Sequence, residues 1–426
     1  MNADLDSFGR PVVVVTGMGL LTSLGEGVED NWRKLLAGQS GIRRISRFAL
    51  DGLRTTIAGT VDFVPADPVS APELSERLAE RVAAEAIAQA GIGRRADFPG
   101  PLMLALPPVE LEWPQRRALA AASGANDRVI YADLLHAAGG GGFRHVYERF
   151  LFGSVAENLA ERFGTKGSPV AISTACASGA TAIQLAVEAI RRGETTSALC
   201  VGTDASVNPE SLIRFSLLSA LSTRNDPPSA ASRPFCKDRD GFVMAEGAAA
   251  LVLESLAAAR ARGARILGVV EGCGEAADSF HRTRSNPDGR PIIACLRNAL
   301  DDAGVAAEAI DYINAHGTST PENDKMEWLG VATVFGERAG TIPISSNKSM
   351  IGHTLTAAGA VEAVFSLLTL RDQMIPPTIN YVLPDPALPV DCVPNVSRAA
   401  RVTRAISNSF GFGGQNVCLV LKAGPG

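Results

Sequence analysis

An α/β fold is predicted by three features of this sequence. Short apolar runs, namely Val12-Val13-Val14-Val15, Pro169-Val170-Ala171-Ile172-Ser173, Ile310 to Ile313 and Ile342-Pro343-Ile344, have the length of buried strands rather than helices. Helical patterns follow two of them, one through Ile183, Leu185, Val187 and Ile190 to Arg192, the other opening at Gly359-Ala360-Val361-Glu362-Ala363. The 42 glycines among 426 residues suit a chain that turns often and tightly between strand and helix.

Taken in order, Met1 to Arg10 carries two acids ahead of Val12–Val15, unlike a signal peptide, and the apolar run is far too short to cross a membrane. It reads as a first strand. Residues 98–145, with Pro107-Pro108-Val109-Glu110-Leu111-Glu112-Trp113-Pro114 and the glycine run 139–142, read as an insertion-prone loop region. The strand ending at Ser173 meets a helix from about Ala177, which puts Cys176 at a helix start. That position is expected to expose the sulfur above a sheet, where the unpaired N–H groups of the first turn favour thiolate and stabilise an oxyanion. Residues 169–190 and 343–370 echo each other as strand, reactive loop and Gly-Ala helix start.

Two of the five histidines follow strand ends, His316 in Asn314-Ala315-His316-Gly317-Thr318-Ser319-Thr320 and His353 in Ser346-Asn347-Lys348-Ser349-Met350-Ile351-Gly352-His353. Loops at strand ends converge on ligands in open α/β sheets. A further loop, Ser407 to Gly414, is glycine-rich and lets backbone approach a reacting carbonyl. One cysteine with two distant histidines fits covalent acyl transfer. Metal binding is a poorer fit, because the seven cysteines include no C-x-x-C pair and the chain has no H-E-x-x-H. Signatures of Cys-His proteases are missing around Cys176.

The length allows two ordinary domains or one large unit, and 46% hydrophobic with 20% charged residues suits a large core. A net charge of −5 argues against nucleic acid as partner. The odd cysteine count implies a reducing compartment, hence the cytoplasm.

Five motifs carry a family resemblance: S-T-A-C-A-S-G at 173–179, K-D-R-D-G-F-V at 237–243, N-A-H-G-T-S-T at 314–320, N-K-S-M-I-G-H at 347–353 and N-S-F-G-F-G-G at 408–414. Their order and spacing resemble the 3-oxoacyl-[acyl-carrier-protein] synthases of the elongating type I/II kind, nearest to ketoacyl synthase II, over nearly the whole chain. The resemblance implies a thiolase-like fold, with two pseudo-symmetric βαβαβαββ halves in five αβαβα layers. The boundary is placed in the helical Ala257–Arg265 stretch, giving an N-terminal half 1–262 with the nucleophile and a C-terminal half 263–426 with the histidines.

The implied reaction loads an acyl group on Cys176 and condenses it with malonyl-acyl carrier protein, with loss of carbon dioxide, lengthening a fatty acyl chain by two carbons. By resemblance, His316 and His353 stabilise the enolate, Lys348 orients its loop and holds positive charge near His353, and Glu362 partners that lysine. Cys176 and Phe412 donate the oxyanion-hole N–H groups, and Phe412, between Gly411 and Gly413, gates the acyl tunnel. Thr318 and Thr320 bind the pantetheine arm. Phe410 and Thr283 are supporting residues, and the loop 274–290, with Asp278, His281 and Asp288, faces the gate. Asn314, Glu362, Ser407 and Asn408 match positions that hold a structural sodium or potassium ion, and no cofactor is required. The implied partners are acyl- and malonyl-loaded carrier protein and a second copy of the chain, with no nucleic acid and no membrane insertion.

Three positions depart from the pattern. Gln415 stands where the family has threonine, Ile351 replaces another threonine, and Ser219 stands where a basic residue often meets the carrier. That last departure keeps a dedicated carrier, in very-long-chain, nodulation-type or polyketide-like synthesis, as the alternative. A non-catalytic chain-length-factor-like subunit is disfavoured because Cys176, His316 and His353 are all present. A thiolase is disfavoured because Ser407–Asn416 contains no cysteine.

Overall fold

The valine run at the N-terminus opens a ten-residue strand, β1 (Val13–Thr22), every residue of which is buried. β2 (Leu102–Ala105), β3 (Val170–Ile172), β4 (Ser197–Asp204) and β5 (Gly247–Ser255) complete a sheet ordered β3-β2-β4-β5-β1. β5 is antiparallel to both β1 and β4, while β2 is parallel to β4 and β3. The C-terminal half repeats this plan with β6 (Gly268–Ala277), β7 (Tyr312–Asn314), β8 (Ile344–Ser345), β9 (Arg404–Phe410) and β10 (Gln415–Ala423), ordered β8-β7-β9-β10-β6. Here β10 is antiparallel to β6 and β9, and β7 is parallel to β9 and β8. The sheets join where Val13–Val15 pair with Gly268–Val270. This computed structural model describes residues 4–66, 70–93, 96–124, 128 and 130–424. Residues 1–3 of the N-terminal stretch, 125–127 and 129 of the 98–145 stretch, and 425–426 of the C-terminal half lie outside the described residues.

Helices pack onto these sheets through glycines that allow close approach. A Cβ on Gly17 or Gly19 of β1 would lie 2.1 Å from Ala86 O or 2.0 Å from Val82 O, both on helix α1 (Ala71–Ala90). On the other sheet, Gly272 and Gly274 of β6 face Ala299 of helix α3 (Arg290–Ala303) in the same way, at 2.5 and 2.3 Å. Between the sheets lie α2 (Ser178–Arg191) and α5 (Ala358–Asp372). Every residue of α5 from Ala358 through Leu370 is buried, as expected of a helix that is apolar on nearly all sides. The result is the expected five layers: α1, first sheet, α2 with α5, second sheet, α3.

The two central helices touch through a reciprocal pair. A Cβ on Gly179 would lie 2.5 Å from Ala360 N, and one on Gly359 would lie 2.4 Å from Ala180 N. This pairing sets the register of the internal repeat. The 3-10 turn Ala175–Ala177 before α2 corresponds to Leu355–Ala357 before α5, and both open with a residue at positive φ, Ala175 at 48° and Leu355 at 46°. Thr356 therefore occupies the counterpart of Cys176, and His353 lies just ahead of that turn.

The stretch 98–145 departs from expectation. It supplies β2 and then helices at Trp113–Ala122, Tyr131–Gly139 and Arg144–Arg149, none of which buries a residue. Alanine-rich spans suffice for the first two of these helices, and proline and glycine only punctuate them. Among the described residues, no helix is long and apolar enough to cross a membrane.

Candidate active site

The turn that carries Cys176 sits at the end of β3, where Ala175's left-handed backbone swings the chain sharply into α2. Ser178 Oγ braces it, accepting from Thr174 N–H at 2.8 Å and donating to Ala175 O at 2.6 Å. Contrary to the expectation of an exposed sulfur, Cys176 is only 8% exposed. Burial pushes its thiol up to about 11, against which the Phe412 backbone N–H and the Lys348 charge pull down. The helix start also works in that downward direction, but desolvation wins, so the resting group is a neutral thiol and not the expected thiolate.

His316 follows β7 and His353 follows β8 and the short helix Lys348–Ile351. The two rings lie 5.3 Å apart at 84°, and the Cys176 sulfur and one ring nitrogen each of His316 and His353 fall within 4.8 Å of one another. Burial, then the nearby Lys348 charge, holds both imidazoles well below the usual histidine range, so both are neutral at pH 7. His353 Nδ1 accepts from Leu355 N–H at 3.3 Å. His316 Nδ1 lies 3.5 Å from Lys348 Nζ, and an ammonium can only donate. Both rings therefore carry their proton on Nε2. Two neutral Nε2–H donors beside one sulfur suit an enolate or oxyanion. They do not suit a metal, which would need an unprotonated nitrogen facing it.

Lys348 itself is fully buried and ion-paired to Glu362 Oε1 on α5. Burial pushes Glu362 up to about 7, and Lys348 opposes that shift. The motif-based link of Lys348 to His353 is thus only part of the arrangement, since the close contact is with His316.

The glycine-rich loop 411–414 joins β9 to β10. A Cβ on Gly411 would meet Thr174 O at 3.0 Å and Cys176 N at 3.3 Å, which explains glycine at this position. Gly413 and Gly414 have φ of 88° and 93°, and Gly414 presses on Asp278 O of the loop 274–290. Phe412, half-buried between Gly411 and Gly413, packs against an apolar cluster that includes Leu212, Phe242 and Leu355. Two cavities meet at Cys176 and Phe412. One, about 580 Å³, runs past Leu106–Glu112, Val155 and Phe215. The other, about 430 Å³, contains His316, His353, Thr318, Thr320 and Thr283 and opens past Arg282 and Arg284. Thr318 and Thr320 hydroxyls lie 2.9 Å apart, and Thr320 also caps helix α4 (Pro321–Phe335) by accepting from Asn323 N–H. Phe410 packs edge-on to His316 at 5.8 Å.

Comparison with known proteins decides the family. Residues 10–259 match "Beta-ketoacyl synthase, N-terminal domain" and residues 267–382 match "Beta-ketoacyl synthase, C-terminal domain". The chain belongs to the beta-ketoacyl synthase family. Among its relatives, 3-oxoacyl-[acyl-carrier-protein] synthase 2 of Vibrio cholerae is 40% identical, covering 96% of this chain and 98% of that protein. The tetracenomycin polyketide synthase ketoacyl synthase alpha subunit of Streptomyces glaucescens is 36% identical, with 96% of each covered. A solved ketosynthase structure, described as hexaketide-bound and in complex with its type II polyketide acyl carrier protein, superposes with a TM-score of 0.88 at 33% identity, covering 97% of this chain and all of that one.

This beta-ketoacyl synthase has supports that motif reading missed. Glu327 on α4 is fully buried and accepts from His316 N–H at 2.8 Å, Gly317 N–H at 2.7 Å and Asn408 Nδ2 at 2.9 Å. Asp204, at the end of β4, accepts from Thr356 N–H and Oγ1 at 3.1 and 2.7 Å, steadying the counterpart turn. Each is a carboxylate on an otherwise buried face, which is the one sequence cue available.

The expected cation set fits in part. Asn314, Ser407 and Glu362 each keep a buried side-chain polar atom without a hydrogen-bond partner, and such oxygens suit a hard cation. Asn408 is committed elsewhere, donating to Glu327 and accepting from Cys418 Sγ at 3.2 Å.

Proposed function

We propose that this chain catalyses decarboxylating Claisen condensation of a Cys176-bound acyl group with malonyl-carrier protein, elongating a fatty acyl chain by two carbons. The observation that carries the reading is the pair of neutral imidazoles, each fixed with its proton on Nε2 beside the Cys176 sulfur.

In the first half-reaction the Cys176 sulfur attacks the carrier thioester. The tetrahedral oxyanion faces the backbone N–H groups of Cys176 and Phe412, and the carrier thiol leaves with the proton. Removing one such donor typically costs about 3–4 kcal/mol of transition-state stabilisation. In the second, the malonyl carboxylate departs as carbon dioxide and its bonding pair becomes an enolate. His316 and His353 donate to the enolate oxygen. The enolate carbon bonds to the acyl carbonyl, the C–S bond breaks, and the Cys176 thiolate takes up a proton from solvent, replacing the one that left with the first carrier thiol.

The cavity past Leu106–Glu112 would hold the acyl chain, with Phe412 as its gate. The cavity past Thr318 and Thr320 would hold the carrier arm. The halves divide at 262/263 in this reading, and a sodium or potassium ion held by Asn314, Ser407 and Glu362 would tie the histidine-bearing loops together without entering the reaction. A homodimer is supported by edge strand β3, which leaves Val170 39% exposed, and by the exposed Trp113, Tyr131, Leu135 and Tyr147 of the helical stretch before it. The unpaired cysteines suit the cytoplasm. A second reading, condensation on a dedicated carrier in specialised lipid or polyketide synthesis, is favoured by the polyketide relatives and uses the same site.

The test is intact-mass analysis after incubation with carriers bearing acyl chains of several lengths, followed by peptide mapping. The adduct is expected on Cys176 alone. Labelling that persists in Cys176→Ala would refute the assignment.

A further inference from the structure

The cavity that contains the histidines opens at a rim formed by Ser219, Glu322 and the exposed Arg282 and Arg284. Ser219 offers no charge there. Arg282 and Arg284 belong to the loop 274–290, and among the described residues neither makes an ion pair, whereas Arg290 at the end of the same loop is neutralised by Asp288 at 2.5 Å. Of the loop's other acids, Asp278 spends its carboxylate on Phe280 and Asn286 N–H groups at 2.9 and 2.7 Å, and Glu275 accepts from the side-chain amides of Gln184 and Gln415. The loop is held in place by the gate, since Gly413 N–H donates to Arg282 O at 2.8 Å and Asp278 N–H to Gly414 O at 2.8 Å. Two guanidinium groups thus stand unneutralised over a passage leading inward past Thr320 and Thr318 to Cys176, on a protein whose net charge is −5.

We infer that Arg282 and Arg284 form the binding site for the phosphodiester of the carrier's phosphopantetheine arm. The inference rests on the proposed function. With the thioester at Cys176 and the arm alongside Thr318 and Thr320, the arm's charged end emerges at this rim. A guanidinium pairs with phosphate oxygens through two parallel N–H bonds, and two of them can share the group. Glu322, half-buried in the same cavity lining, repels a phosphate that strays from the arginines. The lid loop therefore supplies the positive charge that position 219 lacks.

The test measures the rate of Cys176 acylation by intact mass with three donors carrying the same acyl group: carrier protein, free phosphopantetheine and dephosphorylated pantetheine. In the wild type, phosphopantetheine is expected to outperform pantetheine. In the double variant Arg282→Gln/Arg284→Gln that preference should shrink about 10-fold, equivalent to about 1.4 kcal/mol, and single variants should fall between. The preference should also weaken as salt rises from low to physiological concentration. An unchanged ratio overturns the inference, including the case where both donors slow equally because the lid is disturbed. Loss confined to carrier protein, with the free-donor ratio intact, also overturns it and assigns the arginines to acidic side chains of the carrier. If no donor acylates the wild type, the proposed function itself fails.

Discussion

Glu327→Gln probes how the site is held rather than what reacts. The glutamate serves three donors, and glutamine can serve two with its oxygen, so one of the His316 and Gly317 N–H groups is left facing an amide NH₂. Losing a buried bond to a charged acceptor costs about 1.5–3 kcal/mol. Part is offset because burial disfavours the Glu327 charge, pushing its carboxyl above the usual range. The net loss of unfolding free energy is expected at about 1–2 kcal/mol. The catalytic effect is larger, because the backbone that positions His316 loses its anchor, and a 1 Å misplacement can cost about 100-fold. Condensation should therefore fall about 10- to 100-fold, while acyl loading of Cys176, which does not use His316, falls far less. Intact mass follows loading and product release follows condensation in the same preparation. Equal loss in both half-reactions, or none in condensation, would refute the reasoning.

Further outcomes follow from the same geometry. His316→Ala and His353→Ala are each expected to abolish condensation while at least one still accepts an acyl group on Cys176; condensation near the wild-type rate in either variant would overturn the two-imidazole mechanism. With the Cys176 thiol near 11, its alkylation by iodoacetamide should rise about tenfold per pH unit from neutral pH upward, and a plateau near neutrality would show that the helix end outweighs burial. Because both imidazoles stay neutral well below 6.5 while burial pushes Glu362 up to about 7, any inflection in condensation by pre-acylated enzyme between about pH 6 and 7 should disappear in Glu362→Gln, and one that persists there would assign it to a histidine. Phe412→Ala merges the two cavities, so malonyl use should no longer wait for acyl loading. Stability should fall by less than the about 3–5 kcal/mol of a fully buried phenylalanine, since this ring is half-buried. Free and acylated structures with the same Phe412 rotamer and 411–414 backbone would argue against the gate.

The reactive residues were legible because each sits where a short apolar strand gives way to a loop with distinctive small residues. Cys176, His316 and His353 all lie at such ends, and the Gly-Ala helix starts announced the repeat. Their alignment at Gly179 and Gly359 was legible too, but not that these glycines touch, nor that Thr356 rather than His353 stands opposite Cys176, because the contact joins helices far apart in sequence. The state of the sulfur was also missed. Helix-end arguments are local, whereas the desolvation that dominates Cys176 comes from residues across both halves. Glu327 escaped for a related reason, since six positions into α4 it resembles any helical glutamate until the fold aims it at His316. Residues 98–145 were misread because proline and glycine mark breaks and say little about the alanine-rich spans between them.

The reciprocal contact of Gly179 and Gly359 has a consequence for assembly. Each half contributes its most buried helix to one core shared between the sheets, so neither owns a closed core. A chain divided in the linker between β5 and β6 would yield two fragments that each expose a helix built for burial. Cys176 would be on one fragment and His316, His353 and Lys348 on the other. Acyl loading could report on the first fragment's turn alone, but condensation requires the pair to dock in register. Catalytic competence is in this sense a readout of quaternary-like complementation within a single polypeptide.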